Sequence, residues 1–508
     1  MTHSLGVIPF GKWRPDAADL LSGFSTIAKN VYPGPTSFRP FPALGTTTRM
    51  SALTGRPQGA AAFKSPLNQL TYLVVGDNTK LYQRTAATAI SVGGATYSCP
   101  PDEWWEFATA GGYFIAANID DPIQGALMNT QPLAFANLVD SSLQPQARHI
   151  AVVGKQLMIA NTLESGTYYP NRVRWCAVTA AGAVDPTDFD ESQTTLADHQ
   201  DIEGLGSVKR VVGGKKSALI LCDEGTTRFD FVGTPDIYVQ NPLENGVGCI
   251  QSRSVAQQGS LAYYLSRHGF VVCDGVGTQG IGDEKVDQWF FDNWSESLSH
   301  RMSTAVDGER HLIIWAFTSS AEVNGANPDT LLFYHTPSGE WAYANVDTKY
   351  IFTAKTAGVT LEDLDTHELG GTNIDAMETS LDSAVWDGGA DVLAGFDNDN
   401  EMVYFDGANL AATIETGDFE HFKGHRTIID KVSPKADGGT LSVSLAVRDR
   451  LNDTVTFGSA VTQNSDGVCP FESGNSGRYV RYRFQIASGG SWSHAEGFDP
   501  IASDGGAY

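Results

Sequence analysis

Short apolar runs, cut by glycine-rich or polar turns, recur along most of this chain. Residues 261–275, reading LAYYLSRHGFVVCDG, show the unit: apolar positions 261–265 and 270–273 flank Ser266-Arg267-His268-Gly269. Tyr, Val and Phe suit a pleated, half-buried surface, and a glycine late in a tight loop supplies the positive φ that a reversal needs. The pattern predicts a β-hairpin. The same reading applies to residues 72–75 with 81–82, 150–153 with 157–160, 218–222 with 228–232, 331–334 with 341–343, and 392–396 with 402–405. Residues 113–116 and 312–317 read as single strands.

Turn centres near residues 77, 154, 224, 268, 338 and 398 give steps of about 40 to 70 residues, a period of propeller blades rather than helical solenoids. The predicted fold class is therefore all-β. An irregular β-propeller of six to eight blades spans 61–415, between an extended N-terminal arm (1–60) and a C-terminal β-sandwich-like domain (416–508). In that last part, residues 441–448, 454–457 and 479–486 read as strands. Arg481 and Arg483 alternate there with Tyr482 and Phe484, which makes one face charged and the other apolar. Helical signals are confined to a turn or two at 16–24, behind Pro15, and to short stretches at 361–364 and 374–381.

The arm is rich in proline, glycine and aromatics. Trp13, Arg14, Tyr32, Phe38 and Arg39 form its candidate assembly interface, because an idle tail has no use for such residues. They are expected to dock either on the arm's own domain or on a partner.

Composition narrows the class. The 508 residues are 41% hydrophobic and 18% charged, which is globular rather than disordered. No run approaches the roughly 18 apolar residues of a membrane span. Residues 1–11 have neither a basic start nor an apolar core, so no signal peptide is expected and folding in a cytoplasm is. The six cysteines lack zinc or redox spacing; Cys176, Cys222, Cys249 and Cys273 sit in or beside apolar runs and read as core filler. The net charge is −25, yet residues 1–60 carry six Lys/Arg against two Asp, which concentrates the acid in the centre of the chain. Such a surface repels phosphate and suits a wall that nucleic acid passes without sticking.

Chemical motifs fail in turn. Gly275-Val276-Gly277-Thr278-Gln279-Gly280 follows a strand as a dinucleotide fingerprint does, but no helix follows to hold a pyrophosphate. Gly213-Gly214-Lys215-Lys216-Ser217 lacks the phosphate-loop spacing and reads as a basic hairpin tip. Asp397-Asn398-Asp399-Asn400-Glu401 alternates oxygen ligands like a calcium loop, without the required glycine and later glutamate. His421 and His425 are four apart in a β region, where they need not share a face. His335-Thr336-Pro337-Ser338-Gly339-Glu340-Trp341 lacks the aspartate of a sialidase-type turn, and the carboxylates of Asp188, Asp190 and Glu191 are not placed across a sugar by anything in the sequence. No catalytic, cofactor-binding or metal-ligating residue is assigned, and no enzymatic activity or cofactor is expected.

Four ordered segments carry a likeness. The first is 9–16 with Asn30-Val31-Tyr32-Pro33-Gly34 and Phe38-Arg39-Pro40. The second is Trp105-Glu106-Phe107 with Ile115-Ala116-Ala117-Asn118 and Asp121-Pro122-Ile123-Gln124. The third is 145–150 with Arg172-Val173-Arg174-Trp175. The fourth is Gly477-Arg478-Tyr479-Val480-Arg481 with Trp492 and Gly497. In this combination the chain resembles the tail hub, or nozzle, proteins of short-tailed bacteriophages, among them packaged-DNA stabilisation proteins and tail tubular B proteins. The resemblance implies a propeller-containing structural subunit of the virion tail, assembled in the bacterial cytoplasm as a homohexamer. Its partners would be portal-adaptor proteins, tail fibres or spikes, and DNA passing without specific binding. The ring would continue the DNA channel, retain the packaged genome and support appendages. The alternative is a propeller-type glycan-binding or glycan-degrading tail protein. Residues 185–203 and 361–382 match no part of the family pattern.

Overall fold

In the computed structural model, residues 3–18, 23–94, 96–321, 325–356, 389–471 and 474–507 are described. The hairpin at 261–275 is present: strands Leu261–Ser266 and Gly269–Cys273 pair antiparallel, leaving only Arg267 and His268 as the loop. Ser266 Oγ accepts from His268 N at 3.2 Å and donates to Gly269 O at 2.8 Å, and Gly269 takes φ +128°. Ala256–Gln258 and Thr278–Gly280 flank the hairpin, completing a four-stranded meander. The glycine-rich sequence that mimics a nucleotide loop thus leads into an outer strand.

Meanders of this kind are arranged as a β-propeller. Six four-stranded units begin at Gly59–Lys64, Glu106–Ala110, Gln146–Val153, Val208–Val212, Ala256–Gln258 and Ser303–Asp307. They are called blades one to six below. A three-stranded sheet, Tyr350–Lys355, Asp391–Phe396 and Met402–Tyr404, closes the ring between blades six and one. Met50 bridges to Met402, so the chain before blade one extends the closing sheet. Apolar side chains between the blades hold them face to face. Phe270 of the hairpin lies 4.8, 4.7 and 5.3 Å from the rings of Phe290, Trp315 and Trp341. All six cysteines are buried and free, as small core residues are, and burial pushes Cys176, Cys222 and Cys249 up to about 12.

The N-terminal segment is a stitch. Ser25–Lys29 pairs on one side with blade six, Lys29 opposite Tyr343, and on the other with Ala412–Thr416, making one nine-stranded sheet that runs on through Tyr479–Ile486 and Leu441–Arg448. A second, eight-stranded sheet is built on the long antiparallel pair His425–Ala436 and Ala495–Ala507, joined by His3–Ser4, Ile8–Pro9 and the hairpin Val31–Pro33/Phe38–Pro40. The two sheets pack through Phe10, Tyr482, Phe484 and Phe498, with Tyr482 and Phe498 ring centroids 4.6 Å apart. This is sandwich packing on interdigitated aromatic faces.

Three local expectations are corrected. Residues 454–457 form no strand; Phe457 instead lies flat under the Arg483 guanidinium, 3.7 Å away. The loop between 222 and 228 shrinks to Asp223 and Glu224, because Gly225, Thr226 and Thr227 join the ladder. A short helix, Asp287–Asn293, forms where none was expected. Its preceding residue, Val286, cannot cap it, and Asp16 does so from the N-terminal segment, accepting from Gln288 N at 2.9 Å and Trp289 N at 2.8 Å. At 16–24 the described part is a turn, and residues 361–364 and 374–381 lie outside the described residues.

Candidate functional site

The five candidate assembly residues divide in two. Trp13 and Phe38 are buried, at 1% and 5% exposure. Trp13 Nε1 donates to Thr26 O at 3.1 Å, and its ring meets Trp289 at 4.9 Å and Tyr343 at 5.0 Å, so it clamps the stitch onto blade six. Arg14 lies over the Phe24 ring at 4.8 Å, 3.9 Å from Glu340. These three bind the segment to its own chain. Tyr32 and Arg39, facing each other across the 31–40 hairpin, remain partly accessible.

Both line a cleft of about 900 Å³ where the N-terminal segment, blade six and the closing sheet meet. Prolines 33, 35, 40, 42 and 337 stiffen its wall, and Tyr404, Phe405 and Leu393 supply apolar surface. Its charges are largely committed to one another. Arg310 pairs with Asp307 at 2.7 Å, Arg49 with Asp406 at 2.8 Å, and Lys355 with Asp391. His335 Nδ1 meets Ser338 Oγ at 2.7 Å; burial, with His311 and Arg39 nearby, lowers its pKa and favours the neutral ring. Arg39 Nε is buried without a hydrogen-bond partner among the described residues. The cleft offers a rigid, aromatic surface with one underused guanidinium, which is the chemistry of an anchor pocket.

A second constellation lies at the start of the inner strands and was not found from sequence. The Glu106 carboxylate is buried and accepts from His149 Nδ1 at 2.8 Å, Ile150 N at 3.0 Å and the Arg210 guanidinium. Burial alone would raise its pKa, but Arg210, His149 and the Ile150 amide outweigh that and hold it down to about 2. Trp105-Glu106-Phe107 and Arg148-His149-Ile150 stand out in the sequence, but no spacing rule joins residues on neighbouring blades. Glu191, Asp198 and His199 also converge; Arg174 reaches Glu191 at 3.2 Å and His199 lies 2.9 Å from it, which makes this an ion-pair network. The oxygen-rich turn at 397–401 likewise has its own cation: Lys349 Nζ donates to Asn398 O at 2.6 Å and Asn400 Oδ1 at 2.7 Å.

No protein-family model matches the chain, and no curated protein matches it in sequence. Among solved structures, the AfRom2 CNH domain is similar at 10% identity and a TM-score of 0.37, covering 70% of this chain and 96% of that one. BBS1N, from its complex with ARL6DN, is similar at 7% identity and a TM-score of 0.38, covering 72% and 97%. No helix among the described residues is long and apolar enough to cross a membrane.

Proposed function

We propose that this chain is a structural subunit of a bacteriophage virion tail, a hub or nozzle protein that assembles into a ring below the portal and adaptor. The observation that carries the reading is where the four family-like segments lie. Pro9 of the first pairs with Gly497 of the fourth, and Phe38 pairs with Ala495 in the same sheet. Glu106 of the second binds His149 and Ile150 of the third. Segments dispersed over nearly the whole chain thus meet as two structural joints, as a shared architecture would require. In this reading the stitched sheets form a stiff wall around the DNA path, the acidic balance keeps DNA from adhering, and the cleft at Tyr32 and Arg39 receives a neighbouring subunit or adaptor.

Imaging and mass measurement of the purified protein test the proposal. A closed ring of copies, or incorporation of the chain into tails, is the expected result. A monomer that hydrolyses or binds host polysaccharide would replace the proposal with the glycan-active alternative.

A further inference from the structure

The first strands of the blades touch one another around the propeller axis and enclose a channel. Arg210 of blade four reaches past blade three to Glu106 of blade two, while His149 of blade three holds the same carboxylate. This ion pair divides the channel, because Arg210 lines a cavity on each side of it. The two cavities differ in chemistry. The one at the strand starts, about 170 Å³, is polar and contains the Glu106 carboxylate, Arg253 and Ser252. The one toward the strand ends, about 280 Å³, is walled by Phe63, Phe107, Val152 and Val255, from blades one, two, three and the entry to blade five. Thr109 and Gln257 are its neutral polar side chains, and no carboxylate among the described residues lines it. Phe63 and Phe107 both rest on Phe114, at 4.9 and 5.8 Å between ring centroids, which fixes two of the walls while leaving each ring half-buried.

Water entering the larger cavity finds few partners. The Gln257 amide is spent on Gly213 O at 2.9 Å and Gly259 O at 3.1 Å, and most of the remaining lining is apolar side chain. Water held so loosely is readily displaced by an apolar group. Arg210 sets the charge the cavity accepts. Its one partner among the described residues is Glu106, which neutralises it, so an anion gains little there. A cation meets only N–H donors. The guanidinium N–H groups that Glu106 leaves unused suit a neutral acceptor instead. We propose that this cavity is a binding site for a small, neutral, mostly apolar molecule with one hydrogen-bond acceptor. Its apolar part packs on Phe63, Phe107, Val152 and Val255, and its acceptor faces Arg210. At roughly 30 Å³ per water the space holds about nine waters, which sets the ligand at roughly ten non-hydrogen atoms. Bound there, it touches the inner strands of several blades at once and fastens them together.

The probe is acetophenone, a neutral aromatic ketone of this size, with benzoate as its charged counterpart of similar shape. Saturation-transfer NMR on the full chain should show acetophenone binding with a dissociation constant of about 1 mM or tighter. Benzoate should bind about tenfold more weakly. Thr109→Phe fills the cavity from blade two. Gln257→Trp covers it from blade five at an exposed position, so the substituted chain should keep the wild-type melt. Each variant should weaken acetophenone binding about tenfold. No acetophenone binding by the wild type, benzoate binding as tightly as acetophenone, or undiminished acetophenone binding by Gln257→Trp overturns the site.

Discussion

Arg481 donates to Asp418 at 2.9 Å, with only 7% and 1% of the two side chains exposed. Arg448 closes on the same carboxylate, and Glu415 holds Arg481 and Arg483. The charged face of strand Tyr479–Ile486 is therefore an internal ion network, back to back with the apolar face on which Tyr482 and Phe484 pack. Removing one member of such a network leaves its partners charged and dry. Asp418→Ala should cost about 3–5 kcal/mol, read from the urea midpoint, with Asp418→Asn recovering part. A loss below about 1 kcal/mol would mean water reaches the arginines.

How the sequence revealed this strand shows where legibility ends. Period-2 alternation located 441–448 and 479–486 to the residue, because both strands bury one face in an apolar layer. It missed His425–Ala436 and Ala495–Ala507, which carry Pro434 and Pro500, glycines and aspartates inside their ladders and draw stability from mutual pairing. The aromatics of the N-terminal segment were legible as anchors, but not what they grip. Trp13 finds Trp289 and Tyr343, hundreds of positions away, through sheet order that no local pattern encodes.

Glu106 sets an acid limit on stability. Its pKa is held near 2 in the folded chain, below the ordinary 4.5. A carboxyl depressed by folding contributes stability above its unfolded pKa and loses it as pH falls through the folded value. The contribution, on the order of 3 kcal/mol, should vanish progressively between pH 4.5 and 2. Glu106→Gln should flatten the stability-pH curve in that window, measured by denaturant melts at stepped pH. An unchanged slope would assign the acid sensitivity elsewhere.

Gly269 and Asp287 are fitted to each other. Asp287 Oδ1 accepts from Phe270 N at 3.0 Å, and a Cβ at Gly269 would lie 2.0 Å from Oδ2. Gly269 also holds φ +128°, which a side chain resists. Gly269→Ala should therefore destabilise by more than about 2 kcal/mol. Combined with Asp287→Ala, which clears the space, the double variant should cost less than the two single changes added. Strict additivity in thermal or chemical melts would show that the backbone conformation alone accounts for the loss.

Tyr32 and Arg39 separate assembly from folding. Their strand pairing is made by the backbone, and their side chains line the cleft, Tyr32 packing only partly against the core. Tyr32→Ala with Arg39→Glu should therefore keep stability within about 1 kcal/mol while removing an aromatic anchor and reversing a charge at the contact. In the tail-hub reading, the doubly substituted chain melts like the wild type but no longer forms rings or enters tails. Trp13→Ala, by contrast, should cost about 3–5 kcal/mol through the cavity it leaves in the stitch. If the Tyr32/Arg39 variant assembles as the wild type does, the cleft is not the interface, and the contact surface must be sought on another face of the wall.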